Sequence, residues 1–318
     1  MAGKTRNLIL VNHPGGQSRQ DLEEIAAKVV ALAPEVDVHI AAHNATAAEN
    51  GLPEEIWTRP SLTVSFRWPE KFRPKRGLVY TGRPVYKLKQ LQIFQKAGLN
   101  VPRTIAYEFG RPLARNFWGE HVVMKPTVTE IASRGRFTYL LRTEAVAPLA
   151  PRLFPSEHPV RKGPVLVQKY VDTGEYATCY RVLTLFGEPL MCLLSRAKEK
   201  RPPLDAPDEV LLRSQVAANA QSRMINDLVA PPDILDYGRR VARTMAGVPL
   251  QGVDLIREEK TGKLYVLENN SGGNTWNFSS ALAAESRQFI SREERIAQFG
   301  AWDIAARVLT ERVLKEAR

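Results

Sequence analysis

The chain begins its hydrophobic patterning with an apolar run, Leu8 to Val11, which meets a Pro-Gly-Gly turn. A helical pattern follows, with Leu22, Ile25, Ala26, Val29 and Val30 on one face, and then Val36, Val38 and Ile40 alternate as a second strand. Strand, helix and strand in that order predict a small doubly wound α/β lobe. The stretch "SLTVSFRWPEKFRPKRGLVYTGRP" is rich in proline and basic residues and reads as a connector that closes this lobe near residue 80. "HPGGQS" sits after the first strand, as a phosphate-binding turn would. It has neither the dinucleotide nor the P-loop spacing, so a plain tight turn is the better reading.

Further on, "VYKLKQLQIFQKAGLNVPRTIAYE" gives an amphipathic helix with Leu88, Leu91, Ile93 and Phe94. Gly98 stops it, and Val101-Pro102 opens an extended segment. "HVVMKP" and "PVLVQKYV" are short apolar strands, and "ATCYRVLTLFGEPLMCLLSRAK" predicts a hairpin turning at Gly187-Glu188-Pro189. Residues 198–232 are polar and predict a long loop. A helix from Asp233 to Met245 precedes the strands "LQGVDLIREE" and "KLYVLENN", joined by Lys260-Thr261-Gly262, and the end from Ala281 is helical. Three lobes result, at 1–80, 81–165 and 166–318.

Composition narrows the class. The chain has 318 residues, 44% hydrophobic and 25% charged, as in ordinary globular proteins. No apolar run approaches the ~18 residues that span a bilayer, and "MAGKTRNLILVN" reads as the approach to a strand and not as a signal peptide. Cys179 and Cys192 lack metal-ligand spacing, so free thiols of a cytoplasmic protein are expected. The net charge of +11 invites a nucleic-acid partner. Lysine and arginine are spread along the chain instead, which favours a site for polyphosphate and acidic substrates.

The candidate chemistry lies in the last two strands. Asp254 interrupts the apolar run Val253 to Ile256, and the strand through Leu264, Val266 and Leu267 ends on Glu268, Asn269 and Asn270. Alternation points Glu268 and Asn270 to one side and Asn269 to the other. If the two strands pair, two carboxylates and an amide form an all-oxygen set suited to Mg²⁺ or Mn²⁺. Capping by arginine or lysine side chains is the alternative. Cations stand at other element ends: Lys87 opens a helix, Lys125 and Arg196 close strands, and Arg213 lies in the long polar loop.

In this order the segments resemble the ATP-grasp carboxylate–amine ligases over roughly residues 80–280. "YKLKQLQIFQKAGLNVPRT" is similar to the family's lysine-bearing helix, and "VVMKP" to the strand with its second lysine. "VQKYVDTGE" resembles the interlobe hinge of the D-alanine–D-alanine ligase branch. "CYRVLTLFGEPLMCLLSR", "ARTMAGVPLQGVDLI" and "YVLENNSGG" follow the branch that ligates glutamate to a ribosomal protein.

The resemblance implies an ATP-grasp fold: a Rossmann-like first lobe, a central lid subdomain and a C-terminal subdomain with the metal site. It implies that Lys87 and Lys125 bind the ATP phosphates. Gln168, Lys169, Tyr170 and Val171 would then line the adenine, and Glu175 would hold the ribose. Asp254, Glu268 and Asn270 would hold Mg²⁺, with Arg196 or Arg213 as the catalytic arginine. The implied reaction activates a carboxylate as an acyl phosphate with release of ADP, and an amine or amino acid then displaces phosphate to form an amide or peptide bond. A kinase acting on a hydroxyl and a non-catalytic basic binding protein are the alternatives. Small-molecule, amino-acid or peptide substrates and a homodimer are implied as partners.

The chain departs from the family in three places. "PTVTEIASRG" replaces a glycine-rich lid, with Ala132, Ser133 and Gly135 as its small residues, and Gln168 stands at a usual glutamate. "SGGNTWNFSS" replaces Ser-Pro-Gly, which makes Asn274, Trp276 and Phe278, with Arg67 and Arg83 from the first lobe, candidates for substrate contact. Gly272 and Gly273 would let the backbone turn away from the metal ligands.

Overall fold

A computed structural model describes residues 4–127, 135–218, 224–271 and 275–318. Ala132, Ser133, Gly272, Gly273 and Asn274 lie outside the described residues. Three sheets carry the architecture. The first is parallel, with β1 (Arg6–Asn12), β2 (Val36–Ala42), β3 (Ser61–Ser65) and β4 (Leu78–Thr81) in the order β2-β1-β3-β4. Helix α1 (Arg19–Leu32) covers one face through Leu22, Ile25 and Val29. Ile9 and Val11 face the opposite way, against Ile56, Trp57 and Phe72. Burial on both faces explains why β1 reads as a continuous apolar run.

The supposed connector contains two of these strands, which corrects the expectation from sequence. β3 is buried along its whole length, but "SLTVS" alternates hydroxyls with aliphatics and so lacks the apolar run of β1. The hydroxyls at its two ends are met: Ser61 Oγ accepts from Asn7 Nδ2 and donates to Arg59 O, and Ser65 Oγ donates to Arg67 O.

The second sheet is antiparallel, with β5 (Thr104–Ala106), β6 (His121–Pro126), β7 (Tyr139–Arg142) and β8 (Val165–Lys169) in the order β5-β8-β6-β7. Helix α2 (Lys87–Lys96) precedes it, and helix α3 (Val146–Leu153) packs on it through Val146 and Ala150. The third sheet holds β9 (Thr178–Leu185), β10 (Glu188–Ala197), β11 (Met224–Leu228), β12 (Leu250–Arg257) and β13 (Leu264–Asn270), antiparallel in the order β11-β10-β9-β12-β13. The β9–β10 turn is Phe186-Gly187, both at positive φ, one residue earlier than expected.

Two boundaries shift from the sequence reading. β8 pairs in the second sheet down to Lys169, so that sheet runs past residue 165. Helix α2 lies on the third sheet instead of the second, with Leu91 and Phe94 against Val253, Leu255 and Val266. The polar stretch 198–232 is likewise more ordered than expected. It contains helix α4 (Asp208–Arg213) and the edge strand β11, whose burial is only partial and whose pattern is correspondingly faint.

Helix α5 (Pro232–Arg243) covers the face of the third sheet that α2 shares. Past the short helix α6 (Arg292–Ala297), helix α7 (Ala301–Glu316) packs its apolar stripe on α1, β3 and β10. That stripe is therefore used within the chain. No described helix is long and apolar enough to cross a membrane.

Candidate functional site

The site forms where one face of the third sheet meets the second. Arg181, Asp254 and Glu268 stand in one row across β9, β12 and β13. Arg181 forks onto Asp254, Nε to Oδ1 at 2.7 Å and Nη2 to Oδ2 at 2.6 Å. The Asn270 amide donates to Asp254 Oδ2 at 3.2 Å and to Gly252 O at 3.3 Å. Because β13 is the edge strand, Lys87 in the first turn of α2 reaches Glu268 Oε2, at 2.5 Å. Lys125 comes from β6, on the strand face opposite the Val122 and Met124 core, and donates to Gln168 Oε1 at 2.8 Å. Gln168 in turn donates to Thr104 Oγ1 at 2.7 Å.

Electrostatics bind these residues into one cluster. Lys87 in the first place, then Lys125 and Arg181, holds Glu268 below the usual carboxylate range against its burial. Burial opposes the charge of Lys87, but Glu268 outweighs it and the ammonium is held above its ordinary range. Burial raises Asp254 against the pull of Arg181. Burial, and then the neighbouring Lys87, bring Lys125 down to about 7. An amide at Gln168 gives Lys125 a hydrogen bond but no charge, which leaves that depression standing. Cys179 lies two residues before Arg181, and burial raises its thiol well above the ordinary range. It is therefore a poor nucleophile.

The alternation expected of Glu268, Asn269 and Asn270 holds, but the middle residue is more than an incidental amide. Asn269 is buried on the opposite face, where its N–H donates to Gln90 Oε1 at 2.9 Å and its carbonyl accepts from Gln90 Nε2 at 3.0 Å. Its side-chain amide donates to Gln251 Oε1. This network ties α2 to β13 and so fixes Lys87 relative to Glu268.

Of the expected site residues, the fold brings together Lys87, Lys125, Gln168, Asp254, Glu268 and Asn270. Lys169, Tyr170 and Val171 continue from β8, where the Lys169 N–H is taken by Arg103 O and the Tyr170 N–H by His121 O. Glu175 is exposed and pairs with Lys200 at 2.9 Å. Arg196 stacks on Tyr176 at 4.9 Å, on the face of β10 that Cys192 shares and opposite to that of Arg181. Arg213 is exposed at the end of α4, beside β7. Neither arginine joins the described cluster. Arg181 does, and no local pattern marks it, because only the β9–β12 register sets it opposite Asp254.

One further expectation changes. Trp276 and Phe278 are fully buried and stack with Phe66 and Trp302, with Trp276 Nε1 donating to Asp21 Oδ2 at 2.6 Å. They are core, because the chain past the site must dock on the first lobe. The "HPGGQS" turn serves the same docking. Gly16 and Gln17 donate to His13 O, Ser18 N–H donates to Ser279 Oγ at 2.7 Å, and Gly15 O accepts from Ala281 at 2.9 Å. The N–H groups of Gly16, Gln17 and Ser18 are thus already taken, as suits the plain tight turn expected from sequence.

The donor set fits a hard divalent cation. Among the described residues no three His, Cys, Asp or Glu side chains converge, so a metal would draw on two carboxylates and the Asn270 amide oxygen. Both carboxylates are held here by cations, the alternative weighed from sequence. A divalent ion would share Asp254 with Arg181 and free Lys87 from Glu268.

No family model matches the sequence, and no curated protein matches it. Solved structures resemble it in fold. D-cycloserine synthetase DcsG superposes with a TM-score of 0.52 at 15% identity, covering 96% of this chain and 99% of that one. Macrocyclase MdnC bound with precursor peptide MdnA, from Microcystis aeruginosa MRC, gives 0.51 at 12% identity, covering 96% and 99%. The ATP-grasp ligase PsnB complexed with precursor peptide PsnA2 and AMPPNP gives 0.49 at 16%, covering 92% and 97%.

Proposed function

From the ATP-grasp fold that the chain has, we propose that it is an ATP- and Mg²⁺-dependent ligase (Mn²⁺ suits the same donors) that joins a carboxylate to an amine or amino acid. The observation that carries this reading is the row Arg181, Asp254 and Glu268 facing Lys87 and Lys125 across two sheets. Bound magnesium-ATP would supply the phosphoryl group that turns a carboxylate into an acyl phosphate, leaving ADP, and the amine then attacks the acyl carbon and displaces phosphate to form the amide. Lys87 and Lys125 neutralise phosphate charge, and Lys125 takes up a proton to do so. Asp254, Glu268 and Asn270 hold the cation. Arg181 orients Asp254 and steadies developing negative charge, in preference to Arg196 or Arg213. Gln168 to Val171 border the adenine, and Glu175 turns from Lys200 towards the ribose.

An amino-acid or peptide substrate and a cytoplasmic location belong to the same proposal. Two reduced cysteines support the latter. Incubation with ATP, Mg²⁺, an amino-acid pool and candidate carboxylates is the test. ADP with an amide product is expected, whereas a phosphorylated hydroxyl without amide would make the protein a kinase.

A further inference from the structure

The four parallel strands of the first sheet run out, in spatial order β2, β1, β3 and β4, towards His43, His13, Arg67 and Arg83. Ligands of such sheets collect outside the carboxyl ends, where successive connections leave in opposite directions. β1 is that point here, flanked by β2 and β3. The two imidazoles stack at 4.4 Å, and His13 Nε2 lies 2.9 Å from Ser65 Oγ. Ser65 Oγ itself donates to Arg67 O, so His13 is the donor of that pair. Burial lowers His13 to about 4, so at neutral pH its ring is an uncharged wall beside the two arginines.

Arg67 and Arg83 are exposed, and neither has a carboxylate partner among the described residues. Arg83 is held over Trp68 at 4.9 Å, and the indole itself remains 55% exposed. Its carbonyl accepts from Ser271 Oγ, the residue directly after Asn270. A cation fixed on an aromatic plane thus stands at the end of the strand that bears Glu268 and Asn270, with Arg67 one strand further along the edge.

We propose that Arg67 and Arg83 form a subsite for a second carboxylate, and that the substrate is a dicarboxylic amino acid or a peptide with acidic side chains. This rests on the ligase reading. A reacting carboxylate loses its charge as it is phosphorylated, so a guanidinium clamped on it would favour the ground state. An arginine on a carboxylate that does not react adds binding and orientation without that penalty.

Equilibrium binding of glutamate and of fluorescein-labelled triglutamate to the full chain tests the subsite, with labelled triglutamine and a labelled oligothymidylate as comparators. Binding of a fluorescent ATP analogue to each variant reports the nucleotide site and folding separately. Arg67→Gln and Arg83→Gln should each weaken the preferred acidic probe about tenfold while nucleotide affinity stays within about twofold. Glutamate or triglutamate as the tighter ligand tells a free amino acid from a peptide. Equal binding of triglutamine or of oligothymidylate, unchanged affinity in both variants, or no acidic probe bound would each overturn the subsite. Loss of nucleotide binding by the unsubstituted chain would instead sink the ligase reading, with the acidic probes still deciding whether the edge binds carboxylates.

Discussion

Asp254 pairs with Glu268 across β12 and β13, yet the next residue, Leu255, pairs with Val266, so Leu267 has no counterpart. The bulge reverses the strand's facing. Val266 and Leu264 point into the core beside Leu255, whereas Glu268 points to the opposite face. An unbroken alternation would have buried Glu268 beneath the α2 helix. Deleting Leu267 would make Val266 and Glu268 neighbours in a regular ladder, so the carboxylate should keep its face and urea unfolding should cost no more than about 1–3 kcal/mol. A loss of about 3–5 kcal/mol, as for a carboxylate stranded in the core, would contradict this account of the bulge.

Half-buried Arg181 is the partner of buried Asp254. Arg181→Gln should destabilise the fold by about 3–5 kcal/mol near neutral pH, because it strands a carboxylate. Burial already raises Asp254, and losing Arg181 raises it further. A carboxyl whose folded pKa exceeds its unfolded value favours the fold while protonated and loses that contribution as pH rises through the folded pKa. The deficit should therefore shrink towards low pH and grow above it, and Mg²⁺ should restore part of it. A deficit that is flat with pH would contradict this assignment. Thermal melts across pH decide.

Lys125 titrates at about 7, so near pH 8 it is largely neutral in the free protein. Nucleotide binding should then draw in about one proton, measurable by calorimetry in buffers of different ionisation enthalpy. Gln168→Glu would set a charge where an amide now lies 2.8 Å from the ammonium. It should keep Lys125 protonated and abolish the uptake. Equal uptake in the two proteins would place the proton elsewhere.

Trp276 is packed between Phe66 and Trp302 and bonded to buried Asp21. Trp276→Ala should cost about 3–5 kcal/mol in stability while nucleotide affinity of the folded protein stays within about twofold. A large affinity loss without destabilisation would return Trp276 to the ligand site.

How much was legible in the sequence follows from where the information lies. Local patterns revealed the βαβ start, the α2 helix and the pair of carboxylate-bearing strands, because each is written in neighbouring residues. β3 escaped because one of its two buried faces is built of hydroxyls rather than aliphatics. Lys87, Lys125, Asp254 and Glu268 stood out as charges at the ends or interruptions of apolar runs. Arg181 did not, since its role depends on pairing with a strand 73 positions away. Trp276 was misplaced for the converse reason: its neighbours in sequence belong to the site, but its neighbours in space belong to the first lobe.

The central claim is that this cluster is a magnesium–nucleotide site. Affinity for a fluorescent ATP analogue, with Mg²⁺ and with chelator, in the unsubstituted chain and in Glu268→Gln and Asp254→Asn, tests it most directly. Tight binding that weakens by at least roughly tenfold on chelation and in both variants, with folding intact, is the expected result. Affinity indifferent to Mg²⁺ and to both substitutions would contradict it.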